Sequence, residues 1–349
     1  MRVLNTLPQG DLRQTAAAAQ ASEALGYDGL MTMENKHDPF LAHAIAAVNT
    51  DRIELATNVA IAFPRSPMVV ANAAWDLQNA SRGRFVLGLG PQIRPHNERR
   101  FSVAWTAPAP RMREYVQALR AIWTSWEKGT KLDFQGQHYR FTLMPPYFIP
   151  PSMGHKMVPI TLAGVGPNTL RLAGEVGDGI RLHPFCTRQY LETEILPKLE
   201  DGMARSGRAR SNFEITGGGF IATGPDAETT ARMFEAVRDR VAFYGTTPSY
   251  WGVFEMHGLG DLGRELNAMS KAGKWGELAS RVPDDVVHLF AAVGTHAEIA
   301  QRIEERFGGL VDALGLATDS SHDGGDIPAE VLQDIKRIPT PFQGYKTPW

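Results

Sequence analysis

The sequence lacks several features that mark particular classes of protein. Cys186 is the only cysteine, so the chain can form neither an internal disulfide nor a multi-cysteine metal site, which fits a reducing compartment. No apolar run approaches the roughly 20 residues that span a membrane. The first residues are interrupted too early by Pro8 and Gly10 to form a signal sequence. We therefore expect a cytoplasmic protein without a membrane anchor.

An excess of charge of one sign is also lacking. The 36 Lys and Arg residues nearly balance the 38 Asp and Glu residues, and the net charge is −2. Because the basic residues are scattered along the chain, we expect no nucleic-acid-binding surface. The 349 residues, of which 43% are hydrophobic, suffice for a large core.

The chain does contain a regular alternation of short apolar runs and amphipathic helical stretches, which is typical of βαβ units. Eight units favour a closed (β/α)8 barrel over a doubly wound sheet, which usually has about five to seven strands. The predicted strands are residues 3–7, 28–34, 53–60, 84–90, 159–163, 179–182, 213–221 and 286–293.

Residues 1–349 are predicted to form one barrel domain with two insertions. These are at about 131–157, after the fourth strand, and about 245–283, after the seventh, and a tail of about 316–349 follows the last barrel helix. Both insertions are rich in aromatic residues. These side chains either line an apolar pocket or lid, or pack on the barrel or in a dimer interface.

In such a barrel the active site forms from the loops that follow the strands. The second predicted strand ends in the densest polar group, where His37 can change charge near neutral pH and is a candidate proton donor or acceptor. Glu34 and Lys36 are the catalytic candidates beside it. After the fourth strand, His96 and Arg99 are candidates for substrate contact at the mouth, although both residue types are often solvated.

Glycine-rich turns follow the fourth and fifth predicted strands. Glycine removes the side chain that would keep a flat ring from the backbone. The run from Gly164 to Thr169 also begins a helix, whose free N–H groups and dipole suit a phosphate. The alternative is that these glycines only permit tight turns. Gly217 to Gly219 are interpreted as a packing or bulge site.

Other barrel chemistries are not favoured. The first strand ends in Leu7-Pro8-Gln9 instead of the His-x-His of metal-dependent hydrolases, and no lysine lies on a late strand for a Schiff base. Serine-nucleophile and P-loop patterns are absent. No metal site is predicted.

Five motifs in order and spacing resemble the luciferase-like monooxygenase superfamily, particularly its coenzyme F420 (deazaflavin)-dependent oxidoreductase branch, over nearly the whole chain. They are Ala24-Leu25-Gly26-Tyr27-Asp28-Gly29, Leu55-Ala56-Thr57-Asn58-Val59, Gly83-Arg84-Phe85-Val86-Leu87-Gly88-Leu89-Gly90, Gly164-Val165-Gly166-Pro167-Asn168 and the run from Leu170 to Gly179. The resemblance implies a non-proline cis bond at Asn58–Val59, lying against the cofactor ring. It places the phosphate at Gly164 to Thr169.

By the same resemblance, Asn58, Val59, Gly164, Val165, Gly166, Pro167, Asn168 and Thr169 are cofactor-binding residues, and Gly88, Gly90, Gln92 and His183 are added to them because they lie at the ends of the fourth and sixth predicted strands. His183 follows the sixth strand and either borders the ring or packs. Flavin-using relatives tend to have a His-His pair after the glutamate, whereas Asn35-Lys36-His37 stands here.

The resemblance implies hydride transfer between F420 and a small organic substrate, by a homodimer. One alternative is a monooxygenase that uses reduced FMN and oxygen, with a partner reductase supplying the flavin. A second alternative is a flavin-binding barrel without catalytic activity.

Overall fold

Eight parallel strands close on themselves in the computed structural model, which describes residues 1–316 and 327–349. β1 pairs with β8 through Arg2 and Ala313, and β3 pairs with β4 through Leu55 and Phe85, so the sheet has no free edge. This confirms the (β/α)8 barrel. The strands are β1 Arg2–Thr6, β2 Gly29–Thr32, β3 Glu54–Thr57, β4 Phe85–Gly90, β5 Ile160–Ala163, β6 Gly179–Leu182, β7 Glu214–Gly217 and β8 Ala313–Gly315.

A helix follows each of the first six strands and packs its apolar side on the barrel. Ser66 caps the third helix by accepting a hydrogen bond from the Met68 N–H, and Pro67 occupies its first turn. Gly26 ends the first helix with a φ of 95°, a conformation that glycine adopts readily. These helices are α1 Thr15–Leu25, α2 Leu41–Asn49, α3 Pro67–Ala80, α4 Pro108–Lys128, α5 Pro167–Val176 and α6 Leu196–Ser206.

The remaining elements are short helices, longer helices of the second insertion and minor strands. The helices are Leu12–Gln14, His96–Arg100, Pro146–Phe148, Arg188–Tyr190, Leu191–Ile195, Arg210–Asn212, Ala227–Gly245, Pro248–Tyr250, Trp251–Met256, Gly260–Lys271, Trp275–Glu277, Ala279–Arg281, Asp284–Phe290, Ile299–Phe307 and Ala329–Lys336. The minor strands are Ala60–Ile61, Phe134–Gln135, Arg140–Phe141, Phe220–Gly224 and Ala291–Thr295. In the described part of the chain, no helix is long and apolar enough to cross a membrane.

The predicted eighth strand, residues 286–293, is wrong. Helix Asp284–Phe290 occupies most of it and buries Val286, Val287 and Phe290 at helical spacing. The chain then forms Ala291–Thr295, which pairs outside the barrel. A short apolar run fits a buried helix as well as a strand, so its pattern alone could not separate the two. The eighth barrel strand is β8, about 20 residues further on.

The predicted seventh strand, residues 213–221, is two strands. Gly217 and Gly218 have φ values of 90° and 103°, and here the chain leaves the barrel. Strand Phe220–Gly224 then pairs in parallel with Ala291–Thr295 in a separate two-stranded sheet. The excursion between β7 and β8 is therefore longer than the predicted insertion at 245–283.

The first insertion contains the short antiparallel pair Phe134–Gln135 and Arg140–Phe141. Glu114 of α4 holds its turn by accepting hydrogen bonds from the N–H groups of Gln137 at 3.0 Å and His138 at 2.7 Å. The insertion therefore packs along α4, outside the barrel.

A buried cluster of charges fills the end of the barrel where the strands begin. Arg2 contacts Glu54 at 3.0 Å and also pairs with Glu214, and Arg181 approaches Glu214 at 3.3 Å. Tyr345, from the C-terminal tail, donates a hydrogen bond to Glu214. The tail predicted at about 316–349 thus seals the barrel end opposite the predicted site, although residues 317–326 of that prediction lie outside the described part.

Candidate active site

The loops after β2 and β4 meet at the mouth of the barrel. The Arg100 guanidinium donates a hydrogen bond to the backbone carbonyl of Asn35. This contact places Lys36 and His37, both exposed, on a loop that touches the segment carrying His96 and Arg99. His96 is half-buried at the start of the helical turn His96–Arg100, whereas Arg99 is exposed.

Glu34 lies below this rim, and its carboxylate is already engaged. Its side chain is 6% exposed and accepts hydrogen bonds from Arg65 Nη1 at 2.7 and 2.8 Å and from the Ile61 N–H at 2.7 Å. Arg65 also contacts Asp38 at 3.2 Å. Arg65 is thus a residue of the site that was not predicted from the sequence. The position of Arg65 in the sequence could have indicated this, because Arg65 follows β3 and the neighbouring strand β2 ends in acidic residues.

The backbone between β3 and Ala60–Ile61 forms one wall of the mouth together with β4. The Asn58–Val59 peptide bond is cis, as the resemblance implies. A Cβ added at Gly88 would lie 2.0 Å from the Thr57 carbonyl oxygen, and one at Gly90 would lie 2.9 Å from Val59 Cγ2. We call Val59, Gly88 and Gly90 the glycine surface, because glycine is what allows these strands to lie so close.

The N-terminus of α5 opens at the same end of the barrel, after β5. Gly166 is its N-cap residue and Pro167 its first, so the dipole and free N–H groups face the mouth. The backbone N–H groups of Gly166 and Asn168 have no hydrogen-bond partner within residues 1–316 and 327–349. A Cβ at Gly164 would lie 2.2 Å from Thr169 Cγ2. The loop thus has unused donors, and it has no room for a side chain at Gly164, whereas the space around Gly166 is open.

His183 lies after β6 in a cleft between the barrel and the second insertion. Its ring stacks on Tyr250 at 4.5 Å and meets the edge of Tyr244 at 4.4 Å. Burial lowers the pKa of His183 to about 4. The cleft, which we call the His183 cleft, is narrow, with about 20 Å³ of free space, which is room for about one or two water molecules. It is lined by Gly164, Val165, Leu182, His183, Phe185, Cys186, Tyr190, Ile195, Ser249, Tyr250 and Val253.

The predicted residues therefore form two groups. Glu34, Asn58, Val59, Gly88 and Gly90 are brought together at the ends of β2, β3 and β4. The run Gly164 to Thr169 joins His183 at the ends of β5 and β6. Gln92, with a φ of 58°, follows β4, and its side-chain oxygen accepts a hydrogen bond from the Ile93 N–H at 2.9 Å.

Comparison with known proteins gives the same picture of the fold. The family model for luciferase-like monooxygenases matches residues 2–313. The chain belongs to the luciferase-like monooxygenase family. It is 47% identical over 303 residues to an uncharacterized protein of Mycobacterium tuberculosis, covering 87% of this chain and 89% of that one. A putative coenzyme F420-dependent oxidoreductase of the same organism is 28% identical over 312 residues, with coverages of 82% and 84%.

Solved structures of this family share the fold at low sequence identity. The coenzyme F420-dependent tetrahydromethanopterin reductase from Methanopyrus kandleri superposes with a TM-score of 0.76 at 18% identity, covering 97% of both chains. The oxygenating constituent of 3,6-diketocamphane monooxygenase from Pseudomonas putida, in complex with FMN, gives 0.65 at 15% identity, again with 97% coverage of both. The luciferase-like chain is thus an oxidoreductase of a family whose members use either a deazaflavin or a flavin.

The site of this luciferase-like enzyme fits such a cofactor. At the glycine surface the half-buried Val59 lies beside the buried Gly88 and Gly90, and the unpartnered N–H groups of Gly166 and Asn168 suit a phosphate. Within the described part of the chain, no group of three or more His, Cys, Asp or Glu residues could hold a metal ion.

Two aromatic side chains of the first insertion pack beside α4 and do not line the His183 cleft. Tyr139 meets the edge of Tyr115 and stacks near Phe141, and its hydroxyl accepts a hydrogen bond from Arg111 at 2.9 Å. Tyr250 of the second insertion does line the cleft. Phe254 of the same insertion is fully buried in the core, so the second insertion contains both a cleft-lining and a packing aromatic residue.

Proposed function

We propose that this enzyme uses coenzyme F420 to transfer a hydride to or from a small organic substrate. The N-terminus of α5, where the N–H groups of Gly166 and Asn168 have no partner among the described residues, is the observation that carries the proposal, because it suits the phosphate of the cofactor tail. The 28% identity to a protein named as F420-dependent supports the deazaflavin over FMN.

Each group in the site then has a role. A bound deazaflavin supplies a hydride carrier that does not activate oxygen. The half-buried Asn58 and Val59, held in place by close packing against Gly88 and Gly90, would support the ring, and the N–H groups of Gly166 and Asn168 would bind the phosphate. His37, exposed at the mouth and free of a hydrogen bond within the described residues, gives or takes the proton that accompanies the hydride.

Glu34 acts as a positioning residue, since Arg65 and the Ile61 N–H already occupy its carboxylate. It holds the start of the loop that carries His37 against Ala60–Ile61. Lys36, His96 and Arg99 stand around the mouth, where they can contact the polar part of a ligand.

A cofactor titration tests the proposal. Purified protein is titrated with F420 and, separately, with FMN in oxidised and reduced forms, and binding is followed by absorbance and fluorescence. We expect saturable F420 binding and, with reduced F420, no acceleration of oxygen consumption. FMN binding without F420 binding would instead indicate the monooxygenase, which needs a flavin reductase as partner. Cofactor binding with no turnover for any substrate would indicate the non-catalytic barrel.

We also propose that the enzyme is a homodimer, joined through the outer faces of α1, α2 and α3. These helices are neighbours, and α2 contains no Asp, Glu, Lys or Arg. Leu41, Val48 and Val69 on this surface are 56%, 70% and 57% exposed. Three adjacent helices about 10 Å apart and roughly 17 Å long present about 500 Å² per copy, or about 1,000 Å² in total, which is the lower limit for a specific interface.

Light scattering of the protein and of Val48→Glu tests the dimer. The parent should have twice the chain mass, and the variant should dissociate because a buried carboxylate would lack a partner. Val165→Glu, which changes an exposed valine at the mouth, is the matched control and should stay dimeric. A monomeric parent protein would rule out the dimer.

A further inference from the structure

We propose that a groove beside strand Ala291–Thr295 binds the phosphate group of a phosphate monoester, at a second anion site separate from the N-terminus of α5. We call it the arginine groove, because Arg188, Arg302 and Arg306 line it. The groove lies along the two-stranded sheet outside the barrel. The proposed function gives this part of the chain no role, so the inference does not depend on the cofactor.

The lining of the arginine groove carries an excess of positive charge. Glu305 is the only acidic residue in the lining, against three arginines. Arg302 contacts Glu305 at 3.1 Å, and Arg188 contacts Glu192, outside the lining, at 2.9 Å. Arg306 forms no ion pair with an Asp or Glu residue in the described part of the chain. One guanidinium therefore lacks a counter-ion within the fold.

The environment of Arg306 makes this lack of a counter-ion significant. The residue is half-buried, and burial lowers the pKa of its guanidinium to about 10, so the group still carries its charge at neutral pH. The Arg188 guanidinium nearby has the same sign of charge. A partly desolvated cation without an acidic partner is unfavourable in the free protein, and a bound anion would supply that partner.

Two of the guanidiniums are already held in position. Arg306 donates hydrogen bonds to the carbonyl oxygens of Cys186 at 3.1 Å and Leu289 at 2.5 Å. Arg188 donates to the carbonyl oxygens of Glu305 at 2.9 Å and Arg306 at 3.1 Å. These contacts use only some of the five N–H groups of each guanidinium. Because both side chains are fixed in advance, an anion would bind with little further loss of side-chain entropy.

The edge of the outer sheet adds an uncharged donor. Strand Ala291–Thr295 pairs only with Phe220–Gly224 among the described residues, so its other edge is free. The His296 N–H donates to the Gly224 carbonyl oxygen at 2.8 Å, and N–H groups alternate in direction along a strand. The Val293 N–H therefore points to the free edge, and Val293 lines the groove. A backbone donor thus accompanies the guanidiniums.

This set of donors suits a phosphate better than a carboxylate. The donors belong to three side chains and a strand edge, and a phosphate monoester offers three terminal oxygens where a carboxylate offers two. Three arginines against one glutamate also match a group that carries nearly two negative charges at neutral pH. The groove has about 450 Å³ of free space, which can hold the organic part of the ester as well.

The test compares two probes that differ in the anionic group, phenyl phosphate and benzoate. Each is titrated calorimetrically into the full-length protein, in a phosphate-free buffer at constant ionic strength. We expect saturable binding of phenyl phosphate, at least about fivefold tighter than that of benzoate. Equal or tighter binding of benzoate would overturn the phosphate assignment. Absence of saturable binding of phenyl phosphate would overturn the site itself.

Variants test whether the probe binds in the arginine groove. Arg306→Gln removes the unpaired charge and should weaken binding of phenyl phosphate at least about tenfold. Arg302→Glu reverses an exposed charge one helical turn away and serves if Arg306→Gln does not fold. Arg264→Glu is the matched control, because it also breaks an exposed ion pair between residues three apart in a helix, with Asp261. It should bind like the parent.

The N-terminus of α5 is a competing location for the probe. If phenyl phosphate binds there, its affinity stays unchanged in Arg306→Gln and Arg302→Glu, and the proposal fails. Displacement of the probe by F420 would likewise overturn the proposal, because it would place the probe in the cofactor site. Binding that depends on the two arginines supports the arginine groove whether or not F420 binds, so the two proposals are tested separately.

Discussion

The hydroxyl of Tyr345 donates a hydrogen bond of 2.6 Å to the carboxylate of Glu214, although 131 residues separate them in the chain. Glu214 has no exposed side-chain surface, and it also contacts Arg2 and Arg181. These partners lower the pKa of Glu214 despite its burial. The C-terminal tail therefore helps to stabilise a buried carboxylate inside the barrel, on the side away from the proposed site.

We expect Tyr345→Phe to lower the free energy of unfolding by about 1 to 2 kcal/mol, because a buried acceptor loses one of its donors. Chemical denaturation measures this. Tyr147→Phe, at a fully exposed tyrosine in the first insertion, removes the same hydroxyl and should change stability by less than about 0.5 kcal/mol. Equal effects in the two variants would show that the tail contact is not stabilising.

Removal of Arg65, the ion-pair partner of Glu34, should lower the free energy of unfolding more than Tyr345→Phe does. Arg65→Met leaves a carboxylate with 6% exposure in place without its cation, and we expect unfolding free energy to fall by about 3 kcal/mol. Thermal unfolding gives the value. The control is Arg94→Met, which breaks an exposed pair with Glu98 and should cost less than about 0.5 kcal/mol. A small change in stability in both variants would mean that the ion pair between Arg65 and Glu34 does not stabilise the fold.

His37 is expected to act on turnover and not on binding. His37→Ala should lower kcat at least about a hundredfold once a substrate supports turnover, while F420 affinity stays unchanged. Stopped-flow absorbance of the deazaflavin measures kcat, and titration measures the affinity for F420. His138→Ala, in the hairpin turn beside α4, is the matched control. An unchanged kcat in His37→Ala would transfer the proton role to another group.

The stability of the protein should depend on pH through His43, a buried residue of α2 that contacts β2 and β3. Its Nε2 lies 3.0 Å from both Thr32 Oγ1 and the Ala56 carbonyl oxygen, and its ring edge meets Phe85. Burial lowers the pKa of His43 to about 4, against 6.5 for an ordinary histidine. Between these values the unfolded chain takes up a proton that the folded protein does not.

Stability should therefore fall as pH is lowered from about 6.5 to about 4, with His43 contributing up to about 3 kcal/mol. Urea denaturation across this range measures the slope. In His43→Gln the slope should be smaller than in the parent, because the glutamine does not titrate. Identical slopes would mean that His43 protonates in the folded state without penalty.

The first six strands, the glycine-rich turns and the family were all readable from the sequence. Glycine and apolar periodicity act locally, so the end of α1 at Gly26 and the close approach at Gly88 follow from residue type and spacing. The polar end of β2 and the N-terminus of α5 were also predictable. In a parallel barrel, all strand ends of one kind meet at one rim.

Only the tertiary structure decided where several of those residues point and what they touch. It made Glu34 a partner of Arg65, placed Tyr250 on His183, and turned residues predicted as the eighth strand into helix Asp284–Phe290. Each depends on contacts between segments far apart in the chain. Burial and ion pairing determine both the protonation state of a side chain and the role that it can play. Both depend on residues that are distant in the chain, so local sequence does not encode them.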